Sequence, residues 1–128
     1  MTRAVQTGEA IVSEPVVAEI ASSFPGHTDL MRFMRALGLR FVRSKPEALH
    51  RAGVARRSYT SRRTRGLRCQ SCAAALANRC ERCGQPISIR QHVMADFIIG
   101  AHALEHADAL LTRDRGYYKT YFPRLRLI

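Results

Sequence analysis

From Val93 to Leu104 the chain reads VMADFIIGAHAL. Its apolar residues run nearly all the way round a helix rather than along one stripe. A helix of that kind is buried on every side, so it must sit at the centre of a fold. DALLT (108–112) follows at once and reads as a strand of the buried, parallel type. A central helix feeding a buried strand constrains the chain to pack other elements around that pair. Gly100, in the middle of the helix, predicts a neighbour that approaches closely there.

The rest of the chain supplies those elements. Ala10–Val12 is a short apolar strand. A helix follows, with Pro15 in its first turn and Val16, Val17, Ile20 and Phe24 on its apolar face. Glu19 lies in the middle of that face, and Pro25-Gly26 ends the helix. HTDLMRFMRALG (27–38) is a second amphipathic helix with Gly38 as its C-cap, and Leu30, Phe33, Met34 and Leu37 are assigned to the core. LRFVRS (39–44) alternates like a strand. Pro46 opens a helix in 45–66 that turns polar along its length. RGYYKTYF is a short helical turn and LRLI a final strand. Strands alternating with helices in 128 residues give one α/β domain, 1–128.

The charge is lopsided. Twenty-one basic residues against ten acidic ones give a net charge of +11, and only Lys45 and Lys119 of the basic residues are not arginine. Arginine contacts phosphate bidentately and stacks on bases, so a nucleic-acid partner leads. A solvated basic surface and an acidic protein partner are the alternatives. Residues 51–68 hold seven arginines and no acid, a run that faces solvent, an anion or a partner. Arg56, Arg57, Arg62, Arg63 and Arg65 are the candidates for guiding an RNA backbone, with Tyr59 available to stack on a base. No apolar run approaches the ~18 residues of a membrane span, and no signal-peptide pattern opens the chain. The expectation is a cytoplasmic protein with no membrane partner.

All four cysteines fall in CQSCAAALANRCERC (69–83). Two C-x2-C pairs, Cys69 with Cys72 and Cys80 with Cys83, match the knuckles of a structural four-thiolate Zn²⁺ site. A redox C-x-x-C and an iron–sulfur cluster use the same residue type and stay open. Residues 67–86 then form a zinc-binding insertion with no open coordination position, and its arginine neighbours suggest a role in recognition. His92 is a substitute ligand that four cysteines make unnecessary. Bound Zn²⁺ leaves a net charge of about +9. His102 is expected as a hydrogen-bonded core residue. His106 is placed near its helix end, where positive charge suits the dipole.

Three acids stand out: Glu19 and Asp96 on apolar helices, and Asp114 where the 108–112 strand stops. Buried carboxylates are costly unless paired or bound to a cation. In open α/β sheets, sites gather beyond the C-terminal ends of strands. Converging acids there suit Mg²⁺ or Mn²⁺. The alternative is that each acid caps a helix or pairs with an arginine.

MADFIIGAHALEHADALLTRDRGYYKTYFPRLRL (94–127) resembles the C-terminal half of PIN-domain nucleases, particularly the VapC-type toxins of bacterial toxin–antitoxin pairs. SEPVVAEI (13–20) resembles the same family's early strand-to-helix stretch. The resemblance implies a three-layer α/β/α fold around a mostly parallel sheet. It also implies metal-dependent endonucleolytic cleavage of RNA. Glu19, Asp96 and Asp114 match three of the family's acids, and Thr112 matches the hydroxyl residue that often precedes the last one. Asp96 and Asp114 would hold Mg²⁺ or Mn²⁺, and Arg113 and Arg115 would contact the scissile phosphate. A cognate antitoxin protein and a homodimer are implied partners. The family's usual opening strand, with an Asp in a pattern like V-D-T-N, has no counterpart before Ala10, and Asp29 is in the wrong setting to replace it. The fold expected is therefore PIN-like and N-terminally truncated. The second reading follows: a PIN fold that binds RNA or an antitoxin through its Arg-rich and zinc-knuckle surface without cutting. In a third, the zinc knuckle is the working part and the rest a scaffold.

Overall fold

The structure, a computed structural model, describes residues 8–62, 67–68, 75–76, 79–85 and 93–128. Strand β1 is Ala10–Val12, and helix α1 follows as Glu14–Ala21 with Pro15 in its first turn. Helix α2 spans His27–Ala36. Gly38 closes it at φ +62°, the left-handed conformation that ends helices and that other residues adopt only at a cost. β2 is Leu39–Phe41 and runs parallel to β1, pairing Ala10 with Leu39 and Val12 with Phe41. Helix α3 then takes up Pro46–Arg62. β3 (Leu67–Arg68) and β4 (Ala75–Leu76) pair antiparallel. Helix α4 is Met94–His106 and helix α5 is Arg115–Tyr121.

The core is built on α4, as its all-round apolarity requires. Phe97 and Ala101 are fully buried, with Gly100, His102 and Ala103 beside them. Helix α3 presents Ala48, Ala52 and Ala55 at helical spacing, and all three are buried against this centre. Small side chains there let the two helix backbones close up. Tyr117, Tyr118, Phe122 and Leu125 cover the other side. Gly100 faces Phe122: a methyl group built on Gly100 would lie 2.9 Å or less from three atoms of that ring. The close approach expected there is present, and only glycine allows it.

Where the sequence suggests two strands at 108–112 and 125–128, the structure has a single parallel bridge, Leu110 with Leu127. Leu110 N–H donates to the Arg126 carbonyl at 2.8 Å, and Ile128 N–H donates to the Leu110 carbonyl at 3.0 Å. So this mixed α/β chain carries two short parallel half-sheets, β1–β2 and 110–127. Among the described residues no strand joins them.

Helix α1 departs from expectation. It buries none of its residues, and Glu19 is exposed rather than set in a covered apolar face. On α2, Leu30 and Met34 are buried as assigned, but Phe33 and Leu37 are 37% and 44% exposed. Phe33 instead packs on Phe24 of the α1–α2 turn, ring centroids 5.0 Å apart. Among the described residues no element covers the exposed part of the apolar stripe these two helices present. Among the described residues no helix is long and apolar enough to cross a membrane.

Candidate acidic site and cysteine knuckle

Asp96 enters the structure as the third residue of α4. Its Oδ2 accepts the Val93 N–H at 2.9 Å, half of a capping arrangement at the helix start. Asp114 is the N-cap of α5, and its Oδ1 accepts the Tyr117 N–H at 3.2 Å. Both acids therefore do the capping work that was the plainer alternative for them, since helix N-termini leave N–H groups that carboxylates satisfy. Thr112 is half-buried, and its hydroxyl accepts the Asp114 backbone N–H at 3.2 Å. It fixes the backbone of Asp114 rather than its carboxylate.

One side chain reports on all three acids. Tyr118, on α5, is 5% exposed. Burial pushes its hydroxyl pKa well above the ordinary phenol range, and the charges of Asp96, Asp114 and Glu19 push it further in the same direction. Residues separated by up to 95 positions thus act on one buried hydroxyl. Burial also raises Tyr117, with Asp96 the largest charge acting on it. Among the described residues no three metal-ligating side chains stand close enough together to hold an ion. Asp96 and Asp114 each sit at a helix start, and Glu19 lies exposed on α1.

Arg113 and Arg115 flank Asp114, and both are exposed with no ion pair among the described residues. Arg57 and Arg62 on α3 are likewise exposed, Arg56 half-buried, and Arg63 and Arg65 lie outside the described residues. Tyr59 is half-buried. It packs edge-on against Phe97 at 5.6 Å and Tyr121 at 5.7 Å, tying α3 to α4 and α5. A tyrosine four turns into a helix lands on whichever face its position dictates, and here that face is the core.

Sequence patterns gave no sign of a second polar arrangement. Glu14 accepts from the Ser44 N–H at 2.8 Å and from the Ser44 hydroxyl at 2.7 Å. The Ser44 oxygen lies 3.0 Å from His102 Nδ1. Burial opposes ionisation of Glu14, but the Ser44 hydroxyl and backbone N–H groups outweigh it and hold the carboxyl below its usual range. His102 is 4% exposed and lies 4.6 Å, ring to ring, from His106. Burial first, and His106 second, lower its pKa, while Glu14 opposes them. His102 is thus the hydrogen-bonded core residue expected, and it ties α4 to the start of α1 through the β2–α3 connection.

The second cysteine pair adopts a knuckle. Cys80 N–H donates to the Gln85 carbonyl and Gly84 N–H to the Cys80 carbonyl, each at 2.8 Å. Gly84 sits at φ +69°, which lets the chain turn back behind the pair. Backbone N–H groups of Cys83 and then Arg82 point at the Cys80 sulfur, and with the Cys83 thiol they lower its pKa. Donors aimed at a sulfur favour the thiolate, which is the form a metal binds. Both residues are free of disulfides. Cys69, Cys72 and the neighbouring His92 lie outside the described residues. Cys69 and Cys72 fall between β3 and β4, whose antiparallel pairing brings residues 68 and 75 side by side.

Compared with protein-family models, curated proteins and solved structures, the chain finds no match in any of the three.

Proposed function

We propose that this chain is a PIN-like, metal-dependent endoribonuclease, of the VapC type found in toxin–antitoxin pairs. What supports the reading is the resemblance of residues 94–127 and 13–20 to PIN-domain sequences, with Glu19, Asp96 and Asp114 at the family's acidic positions and their charges all acting to raise the buried Tyr118 hydroxyl. Asp96 and Asp114 each also cap a helix N-terminus, which leaves carboxylate lone pairs for a cation. Their oxygens are the donors that Mg²⁺ and Mn²⁺ prefer. Mg²⁺ in particular keeps several waters and takes only one or two carboxylates directly, so an open grouping suits it. Asp96 and Asp114 would hold the cation, which supplies a water of lowered pKa and neutralises charge on the phosphodiester.

This chain's own residues have the remaining roles. Thr112 sets the backbone of Asp114, and Glu19 orients the attacking water. Arg113 and Arg115 hold the scissile phosphate, and Arg57 and Arg62 guide the RNA backbone with Arg56 beside them. A net charge of +11 draws RNA by counterion release, so binding weakens steeply with salt. The purified chain is expected to cut single-stranded RNA with Mg²⁺ or Mn²⁺, to stop with EDTA, and to lose activity in Asp96→Asn. Cleavage that survives EDTA, or survives Asp96→Asn, sinks the reading.

The division of the sheet into two halves favours the second reading for the isolated chain: binding of RNA or of an antitoxin protein, with weak cutting or none. Filter binding that persists while cleavage is undetectable, in both wild type and Asp96→Asn, selects it.

In this reading residues 67–86 are a structural Zn²⁺ insertion, supported by the Cys80–Cys83 knuckle and the N–H groups aimed at Cys80. The protein is expected to carry one zinc per chain by elemental analysis. Cys80→Ser should lower that content strongly and expose the insertion to protease, leaving the α4 core intact. Iron in place of zinc, or a metal-free protein with unchanged protease resistance, would exclude it.

A further inference from the structure

A mostly apolar cleft lies between the two half-sheets. It is a cleft of about 500 Å³ whose walls include Ile11 and Val12 on one side and Leu110 and Leu111 on the other, with Ile99 and Ala103 of α4 between them. A water occupies ~30 Å³, and protein interiors leave few voids larger than one. An apolar space of this size at the middle of a fold is badly filled by solvent.

Its walls also have a definite hydrogen-bonding demand. A strand directs the N–H and C=O of alternate residues to opposite sides. Val42 N–H bonds the Val12 carbonyl, so Val12 and Ala10 serve β2 and Ile11 faces the other way. Leu110 gives both its groups to the 126–128 segment, and Thr112 N–H bonds Ile128 O. Ala109 and Leu111 therefore face away from that pairing, and both line the cleft. Among the described residues no backbone hydrogen bond is made by Ile11, Ala109 or Leu111 on the cleft side. An apolar small molecule can fill the space but leaves those donors and acceptors unmet, which is costly for each that is buried. An extended polypeptide meets both walls at once.

Charge states more about the occupant. Arg113, Arg124 and Arg126 are exposed around the 110–127 half-sheet, with no ion pair among the described residues. The chain as a whole is strongly basic. A strand flanked by acidic residues complements that rim.

We propose that the cleft is a strand acceptor. An extended apolar segment with acidic flanks, contributed by a partner polypeptide, docks between Ile11 and Leu111 and joins the two half-sheets into one. Strand addition of this kind takes its affinity from main-chain hydrogen bonds and its selectivity from side-chain pockets. Thr112, whose hydroxyl holds the Asp114 backbone, and Tyr118 also line the cleft. The proposal does not depend on RNA cleavage: it rests on backbone groups and a cavity, and its readout is amide exchange.

The test uses the full chain and the peptide acetyl-EEVIVVIEE-amide, with a control carrying proline in place of the central valine. Hydrogen exchange is followed at Ile11, Ala109 and Leu111. The expected result is fast exchange in the chain alone, slowed at least about tenfold by the peptide and not by the proline control. Four results would overturn it. Slow exchange in the dilute chain alone means its own residues already fill the cleft. Protection that grows with protein concentration means a second copy does. Equal protection by both peptides means a pocket for apolar groups without strand pairing. No protection by either peptide means no acceptor at all.

Discussion

Phe97→Ala is expected to destabilise the protein by about 3–5 kcal/mol, read as a shift of the urea-unfolding midpoint at unchanged slope. Phe97 is completely buried, and its ring meets Tyr59, Tyr117 and Tyr121 edge-on at 5.4 to 6.0 Å. Those three rings come from α3 and α5, so one side chain on α4 joins three helices. Removing it deletes the transfer energy of a phenyl group and the edge-to-face contacts, and it leaves a cavity that rigid helices close only in part. Small domains have a net stability of only about 5–15 kcal/mol, so the loss is a large share of the whole. It reaches the acidic site as well. Helix α5 carries Tyr118 and is capped by Asp114, and its packing on α4 depends on this ring cluster. A shift under about 1 kcal/mol would mean that α3, α4 and α5 do not close on Phe97 as described.

The same cluster shows what the sequence makes legible. The apolarity of α4 on all sides marks it as central without reference to any partner, and Gly100 marks a close approach that Phe122 makes. β1 is legible because a short apolar run ends where Ser13 and Pro15 start a helix. The 108–112 and 125–128 strands are legible as apolar runs, yet only Leu110 and Leu127 pair. A strand is a property of two segments, and apolarity in one of them does not supply the neighbour. Phe33 and Leu37 illustrate the same limit, since helical spacing identifies a face and not whether anything covers it. The Glu14–Ser44–His102 arrangement was not legible at all. Its members are 30 and 58 residues apart, and a glutamate, a serine and a histidine at those separations form no local pattern. Asp96 and Asp114 were legible as unusual acids, but sequence alone did not decide between capping and metal binding. The structure gives both a capping bond, and the charge of each acts to raise the Tyr118 hydroxyl.

A pair of substitutions at Asp114 separates those two roles. Asn caps a helix about as well as Asp, whereas Ala does not, and loss of a cap costs about 0.5–2 kcal/mol. Asp114→Asn keeps an oxygen for the Tyr117 N–H and removes the charge. Its stability should stay within about 1 kcal/mol of wild type, the residual loss being the carboxylate's interaction with the helix dipole. If Asp114 also serves a divalent cation, RNA cleavage in Asp114→Asn falls by at least about 100-fold, the size implied by several kcal/mol of lost transition-state stabilisation. Asp114→Ala is expected to lose both activity and stability. The informative comparison is between the two variants, with urea unfolding and Mn²⁺-dependent RNA cleavage measured on each. A chain whose Asn variant cuts as well as wild type while its Ala variant is merely less stable has an aspartate that only caps a helix. Because the Asn side chain preserves the bond that starts α5, lost cleavage in that variant could not be blamed on a frayed helix. It would place the Asp114 charge in the chemistry.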